Sequence, residues 1–158
     1  MQLCTGFPMP LNYYYACSLP LEVGSVVLPG NWGRMLRTYT PQCGNPWILS
    51  RETVYEIIRL REFPSKPSRF YSIFLCPTEA LLNAFCARTN RIFDLKYEVE
   101  LVDANANSHN GDWTLANLPD NLNIQAIEDR ARQYWNGHNL ENVEFMTMSA
   151  ARIVHRLA

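Results

Sequence analysis

The ten residues Phe93 to Val102 constrain this chain more than any other stretch. Phe93, Leu95, Tyr97, Val99 and Leu101 alternate with Asp94, Lys96, Glu98 and Glu100. A β-strand points successive side chains to opposite faces, so alternation of this length predicts a strand with one face buried and one face in water. A sheet has to form around it, with this strand in a central position. Its charged face is most simply a solvated one, which leaves Glu98 and Glu100 without a chemical role.

The stretch Ser68 to Cys86 reads as strand, sharp turn, helix. Phe70 to Leu75 holds two Phe, a Tyr and an Ile, which favour strand, and Pro77 stops it. Thr78 can cap a helix by accepting an orphan backbone N–H, and Leu81, Ala84 and Phe85 then fall on one helix face. A flat ligand fits between Phe74 and Phe85, although on residue type alone both rings read as core.

Elsewhere, residues 1–12 carry Pro8 and Pro10 and form an extended lead-in. Tyr13 to Cys17 has strand propensity. Ser25 to Leu28 is a short apolar run ending in Pro29-Gly30-Asn31-Trp32-Gly33-Arg34, a turn whose glycines give only a weak phosphate-cradling signal. Residues 38–49 read as loop. Ser50 then caps a helix from Arg51 to about Glu62, with Val54, Ile57, Ile58 and Arg61 on one face. Asp103 to Asp112 is a polar loop holding His109, and Trp113 and Leu115 return the chain to the sheet. Asn123 caps a helix from Ile124 to about Trp135 whose apolar face is Ile124, Ile127, Ala131, Tyr134 and Trp135, and Gly137 stops it. Val143 to Met148 is a strand, and Ala151 to Leu157 is another strand or a short helix. Together these predict one α+β domain over residues 1–158, with a mostly antiparallel sheet and interposed helices.

Composition removes several function classes. Apolar residues make up 47% and charged residues 18% of 158, so the chain is globular rather than disordered. A net charge of −1 gives no overall electrostatic case for nucleic acid or an anionic membrane. No apolar run approaches the length of a membrane span, and the first residues lack the basic start and apolar core of a secretion signal, so a cytoplasmic protein is expected. Five cysteines at 4, 17, 43, 76 and 86 are odd in number and show no C-x-x-C spacing, and the histidines at 109, 138 and 155 lie far from them. Free thiols are expected, with neither disulfides nor a metal site.

The order of motifs carries a resemblance. Tyr-Tyr-Ala-Cys on a first strand, the Pro-Gly-Asn-Trp-Gly-Arg turn, "SRFYSIFLCPTEALLNAF", "YEVEL", a helix ending "RQYW" and then "VEFMT" resemble the ADP-ribosyltransferase fold. More closely, they are similar to an uncharacterised bacterial family placed near it. The resemblance spans roughly residues 13 to 155. It implies a split antiparallel sheet whose central cleft holds NAD as substrate. Three elements line such a cleft: a His or Arg on the first strand, an aromatic or Ser/Thr site at a strand-helix unit, and a late Glu. The late Glu maps to Glu144, the strand-helix aromatics to Phe74 and Phe85, and the first position to Tyr15, which departs from the pattern because it supplies a hydrogen bond and no charge. Tyr71 or Ser72 replaces Phe74 if the strand phase slips by one. Arg69 and Arg34 are the arginines suited to a diphosphate.

The resemblance implies an ADP-ribosyltransferase, of the toxin or mobile-element kind, passing ADP-ribose to a protein, nucleic acid, small molecule or water. The alternative is an inactive module of the same fold that binds a nucleotide, nucleic acid or protein. On the first reading Tyr15, Phe74, Phe85 and Glu144 must converge on one cleft.

Overall fold

The computed structural model describes residues 12–42, 46–117, 119, 121–137 and 141–158; most of the predicted lead-in, residues 1–11, lies outside them. In chain order the elements are β1 (Tyr13–Cys17), β2 (Val26–Val27), α1 (Asn31–Leu36), α2 (Pro46–Glu62), a 3-10 turn (Arg69–Tyr71), β3 (Ile73–Leu75), α3 (Glu79–Arg88), β4 (Leu95–Leu101), β5 (Ser108–Asp112), α4 (Trp113–Ala116), α5 (Ile124–Asn136), β6 (Val143–Thr147) and β7 (Ala151–Arg156). The fold is α+β, with two antiparallel sheets and helices between their strands. The first sheet has the order β1-β4-β7-β2 and the second β3-β6-β5.

The alternating segment is the centre of the first sheet, as its pattern requires. Tyr97 and Val99 are fully buried, and Glu98 and Glu100 on the other face bond Asn12 and Arg152. The strand starts two residues later than the alternation. Phe93 does not join the buried face; it is 91% exposed in the turn before β4, where Arg91 and Asp94 close the chain on itself.

The inner face of the first sheet packs on the second. Tyr13 stacks on Phe145 with ring centroids 4.3 Å apart, and Ile73, Leu75, Val99 and Ile153 fill the space around them. The far face of the second sheet is covered by α2 and α5: Phe74 and Met146 meet Tyr55, Ile58, Tyr134 and Trp135. The outer face of β1 is covered by α3 through Leu82 and Cys86. Tyr14 and Cys76 exchange both backbone hydrogen bonds, at 2.9 and 2.8 Å, and no further pair joins β1 to β3 among the described residues. The sheet is therefore split just beyond this bridge.

Several local expectations are corrected. Phe70 is not strand: Ser68 accepts the Phe70 N–H and winds Arg69–Tyr71 into a 3-10 turn, so β3 is only three residues long. Thr78 does cap α3, accepting from Leu81 N, but the buried face is Leu82 and Cys86 and Ala84 is exposed. The Pro-Gly-Asn-Trp-Gly-Arg segment is a helix start, with Gly30 at φ 89° before α1. Gly33 within it lies flat on the 3-10 turn, where a Cβ would stand 2.0 Å from the Phe70 carbonyl oxygen. The helix expected from Arg51 begins at Pro46, and Ser50 bonds back to the Pro46 carbonyl instead of capping. Its buried line is Arg51, Glu52, Tyr55, Ile58 and Arg59, while Ile57 faces out. The polar loop contains a strand, since Ser108–Asp112 pairs with β6 and buries His109. Trp113 and Leu115 are helical, because Asp112 accepts the Thr114 N–H and starts α4. The α5 cap at Asn123 and stop at Gly137 hold, although Ile124 is exposed. The segment left open at Ala151 resolves as strand.

Candidate functional site

A cleft of about 690 Å³ opens at the split in the sheet. One wall is β1, β3 and α3, presenting Tyr15, Ala16, Leu75 and Phe85. The lining also includes Trp32 on α1, Tyr39 after it, Ile48 and Arg51 on α2, and Asn117 after α4. Arg69, Phe74 and Glu144 lie among its lining residues as well. Its size and mixed apolar and polar lining are those of a small-molecule site.

A buried charge network underlies it. Arg69 is 6% exposed, and its guanidinium is almost fully committed to protein. Nε and Nη2 donate to the two Glu52 oxygens at 2.9 and 3.2 Å, and Nη1 donates to the Tyr134 hydroxyl and to Glu144 Oε1, both at 2.6 Å. Tyr134 passes its own O–H to the same Glu144 oxygen at 2.6 Å. Arg51 Nη2 adds a bond to Glu52 at 2.7 Å. Burial alone would push the Glu52 carboxyl up; Arg69 and Arg51 overcome it and hold the carboxyl below its usual range. Burial likewise opposes the charge on Arg69, and Glu52, Tyr134 and Glu144 more than restore it, so its pKa is raised. The Tyr134 hydroxyl is pushed well up by burial. Its ring can lie against β5 because Gly111, opposite Glu144 in the sheet, has no Cβ; one there would stand 2.3 Å from the ring.

This network fixes one oxygen of Glu144. The other has no protein hydrogen bond among the described residues, and Glu144 lines the cleft. Glu144 and Phe74 share a face of the second sheet, since Gly111 pairs with Glu144 and Phe74 pairs with Met146 two residues on.

All four residues expected to converge line this cleft, together with Arg69. Phe74 carries the Arg69 guanidinium over one ring face at 4.7 Å. Phe85 meets Trp113 edge-on at 5.4 Å and has Arg91 at 5.6 Å from its centroid. No ring contact joins Phe74 to Phe85 among the described residues, and both line the cleft. The Tyr15 hydroxyl is pushed up by burial, which keeps it a neutral donor. Arg34 is exposed on α1, bonds Asn31 and Pro29, and does not reach the cleft. Tyr71 points out, bonding Arg37, and Ser72 is buried on the Ser68 carbonyl. Arg69 has little left to offer a diphosphate, because the carboxylates beside it already hold its N–H groups. Arg91 on the cleft wall bonds Asp94 and the Ala16 carbonyl through Nε and Nη2 and has no bond at Nη1 among the described residues.

Sequence reasoning missed Glu52, Arg51, Trp32 and Arg91 as cleft or network residues. One signal was present for the first two: Ile48, Glu52, Tyr55 and Ile58 share a helical face, so an Arg-Glu pair interrupts an otherwise buried line. Cys76 lines the cleft as a thiol pushed up to about 12, chiefly by burial, and it is unsuited to act as a thiolate. Cys17, Cys76 and Cys86 are free; Cys4 and Cys43 lie outside the described residues. Among the described residues no His, Cys, Asp and Glu cluster could hold a metal ion, and no helix is long and apolar enough to cross a membrane.

A family model for a protein of unknown function, DUF2441, matches residues 34–154. The chain belongs to the DUF2441 family. That match takes in Arg69, Phe74, Phe85 and Glu144, and Glu52 and Tyr134 beneath them, so the whole charge network lies inside the DUF2441 region; Tyr15 lies before it. No curated protein matches the chain.

Proposed function

We propose that this DUF2441 protein is an ADP-ribosyltransferase that binds NAD in the cleft, with Glu144 as its catalytic carboxylate. One observation carries the reading: a carboxylate with one oxygen clamped, and the other without a hydrogen bond among the described residues, lines a cleft shared with Tyr15, Phe74 and Phe85. Breaking the bond from ribose C1′ to the nicotinamide nitrogen sends the electron pair to nicotinamide and builds positive charge on the ribose, as in glycoside hydrolysis. A fixed carboxylate beside that carbon stabilises the charge as it forms. The acceptor's nucleophile then bonds to C1′ and gives up its proton. Phe74 and Phe85 offer ring faces to the nicotinamide. Arg69 aligns Glu144 rather than holding phosphate, and Arg91, whose Nη1 has no partner among the described residues, is a cation offered to the diphosphate.

A second reading has its own support. Tyr15 stands where the resemblance implies a charged residue, and its phenol is neutral. This favours a nucleotide-binding module without turnover. Calorimetry with NAD and a nicotinamide-release assay separate the two. On the first reading Glu144→Gln lowers kcat by about 10²–10³ and changes NAD affinity little, because the charge it meets appears only in the transition state. Phe74→Ala weakens NAD binding first. NAD binding without nicotinamide release under any acceptor favours the inactive module; no binding at millimolar NAD removes the transferase reading.

A further inference from the structure

A smaller cavity, of about 330 Å³, lies along β5 at the edge of the second sheet and shares no lining residue with the cleft. His109 lines it. The residue is 5% exposed, and its Nε2 stands 2.9 Å from the Tyr134 carbonyl oxygen. A carbonyl only accepts, so Nε2 carries the ring proton and Nδ1 keeps a bare lone pair. Burial pushes the imidazole down to about 4, so the ring is neutral and Nδ1 remains an acceptor. Nδ1 has no hydrogen bond among the described residues, yet it is not among the buried side-chain atoms sealed off without a partner. The ring edge beside it faces Gly137, another lining residue, where a Cβ would stand 3.5 Å from His109 Cε1. Nδ1 therefore opens on the cavity.

Lys66 brings the complementary group. Its backbone is fixed at the cavity: the Lys66 carbonyl accepts from Arg59 Nη1, and the Ser65 carbonyl from Asn107 Nδ2, both at 3.0 Å. Its ammonium has no hydrogen bond or ion pair among the described residues, and no acidic residue is among those lining the cavity. The ammonium sits on a flexible four-carbon stem, so it needs no preset distance to Nδ1 to reach a ligand held there. An acceptor without a donor and a cation without an anion select the same kind of molecule. We propose that this cavity binds a small oxyanion that carries a hydroxyl, of which monobasic phosphate is the simplest: its O–H donates to His109 Nδ1, and its charged oxygens accept from Lys66. The site stands apart from the NAD reading. Tyr134 lies between the two, its carbonyl holding His109 and its hydroxyl holding Glu144.

Phosphate and sulfate are the probes, at a mildly acidic pH where phosphate is monobasic and His109 is still neutral. Sulfate has the same shape and charged oxygens but no O–H. Long-range 15N–1H spectra of the full chain read the His109 ring nitrogens, assigned through the His109 backbone. Phosphate is expected to shift Nδ1 saturably while Nε2 keeps its proton. Sulfate should bind at least about tenfold more weakly, the loss of one hydrogen bond. Lys66→Gln should weaken phosphate by about tenfold or more and leave the thermal midpoint unchanged, because the ammonium has no partner to lose. An Nδ1 signal unmoved at millimolar phosphate overturns the proposal. So does sulfate binding as tightly as phosphate, or phosphate affinity unchanged in Lys66→Gln. NAD calorimetry on the same protein is read separately: its failure removes the transferase reading and leaves a positive phosphate result standing.

Discussion

Replacing Arg69 by Met tests the network on which the cleft rests. Methionine fills much of the same volume against Phe74 and Tyr134 but leaves two buried carboxylates short of a partner. Glu52 keeps one contact, to Arg51 at 2.7 Å, and Glu144 keeps one, to Tyr134 at 2.6 Å. Removing one partner of a buried ion pair costs about 3–5 kcal/mol, mostly through the charge left behind. That is a large part of the stability of a typical domain. Urea unfolding followed by circular dichroism reads it directly. The loss also carries a pH signature. In the native protein burial pushes the Glu52 carboxyl up, and Arg69 and Arg51 hold it down. Without Arg69 the burial effect gains, and the folded-state pKa moves up relative to the wild type. A carboxyl raised above its unfolded value is destabilising while ionised and is relieved by protonation. The deficit should therefore shrink as pH falls from neutral toward about 5. A loss below about 1 kcal/mol, or one that grows on acidification, would show that water reaches these charges.

His109 should give the opposite pH behaviour. Burial pushes its imidazole down to about 4 from 6.5, so the unfolded chain takes up the proton first and stability falls as pH drops between those values, by up to about 3 kcal/mol; His109→Gln should flatten that part of the urea-midpoint profile. Gly111→Ala places a methyl in the Tyr134 ring; it should cost about 1–3 kcal/mol by overpacking, visible as a lower thermal midpoint, and an unchanged midpoint would mean the ring is free to move. Thr78→Ala removes the α3 cap and should cost about 1 kcal/mol, measured by chemical denaturation.

The fold was legible where a pattern was local. The alternation before Val102, the Asn123 cap with the Gly137 stop, and the strands around Tyr15 and Glu144 each rest on residues within a few positions of one another. The misreadings have specific physical causes. Phe70 looked like strand by propensity, yet the Ser68 hydroxyl took its N–H and turned the backbone. Ser108–Asp112 looked like loop because its residues are polar and carry a glycine, yet pairing with β6 satisfies its backbone, and the glycine is there to admit Tyr134. Phe93 fitted the alternation and still lies outside the sheet, because the turn closed by Arg91 and Asp94 ends before the strand begins.

The site was legible in membership and not in wiring. Aromatic residues and a strand Glu can be picked out by type and order, and those picks line one cleft. What each one does depends on partners 17 to 75 residues away: Arg69 on Glu52, and Arg69 on Glu144. An arginine suited to phosphate in sequence is indistinguishable from one spent on carboxylates until those carboxylates are placed. Glu52 falls off the Val54, Ile57, Ile58 and Arg61 face that the sequence suggests, and only its register with Tyr55 and Ile58 sends it inward. Tyr134 shows the same limit from the other side. Its apolar helical spacing correctly predicted burial, but its hydroxyl is the part that matters here, joining Arg69 to Glu144 where the cleft meets the core.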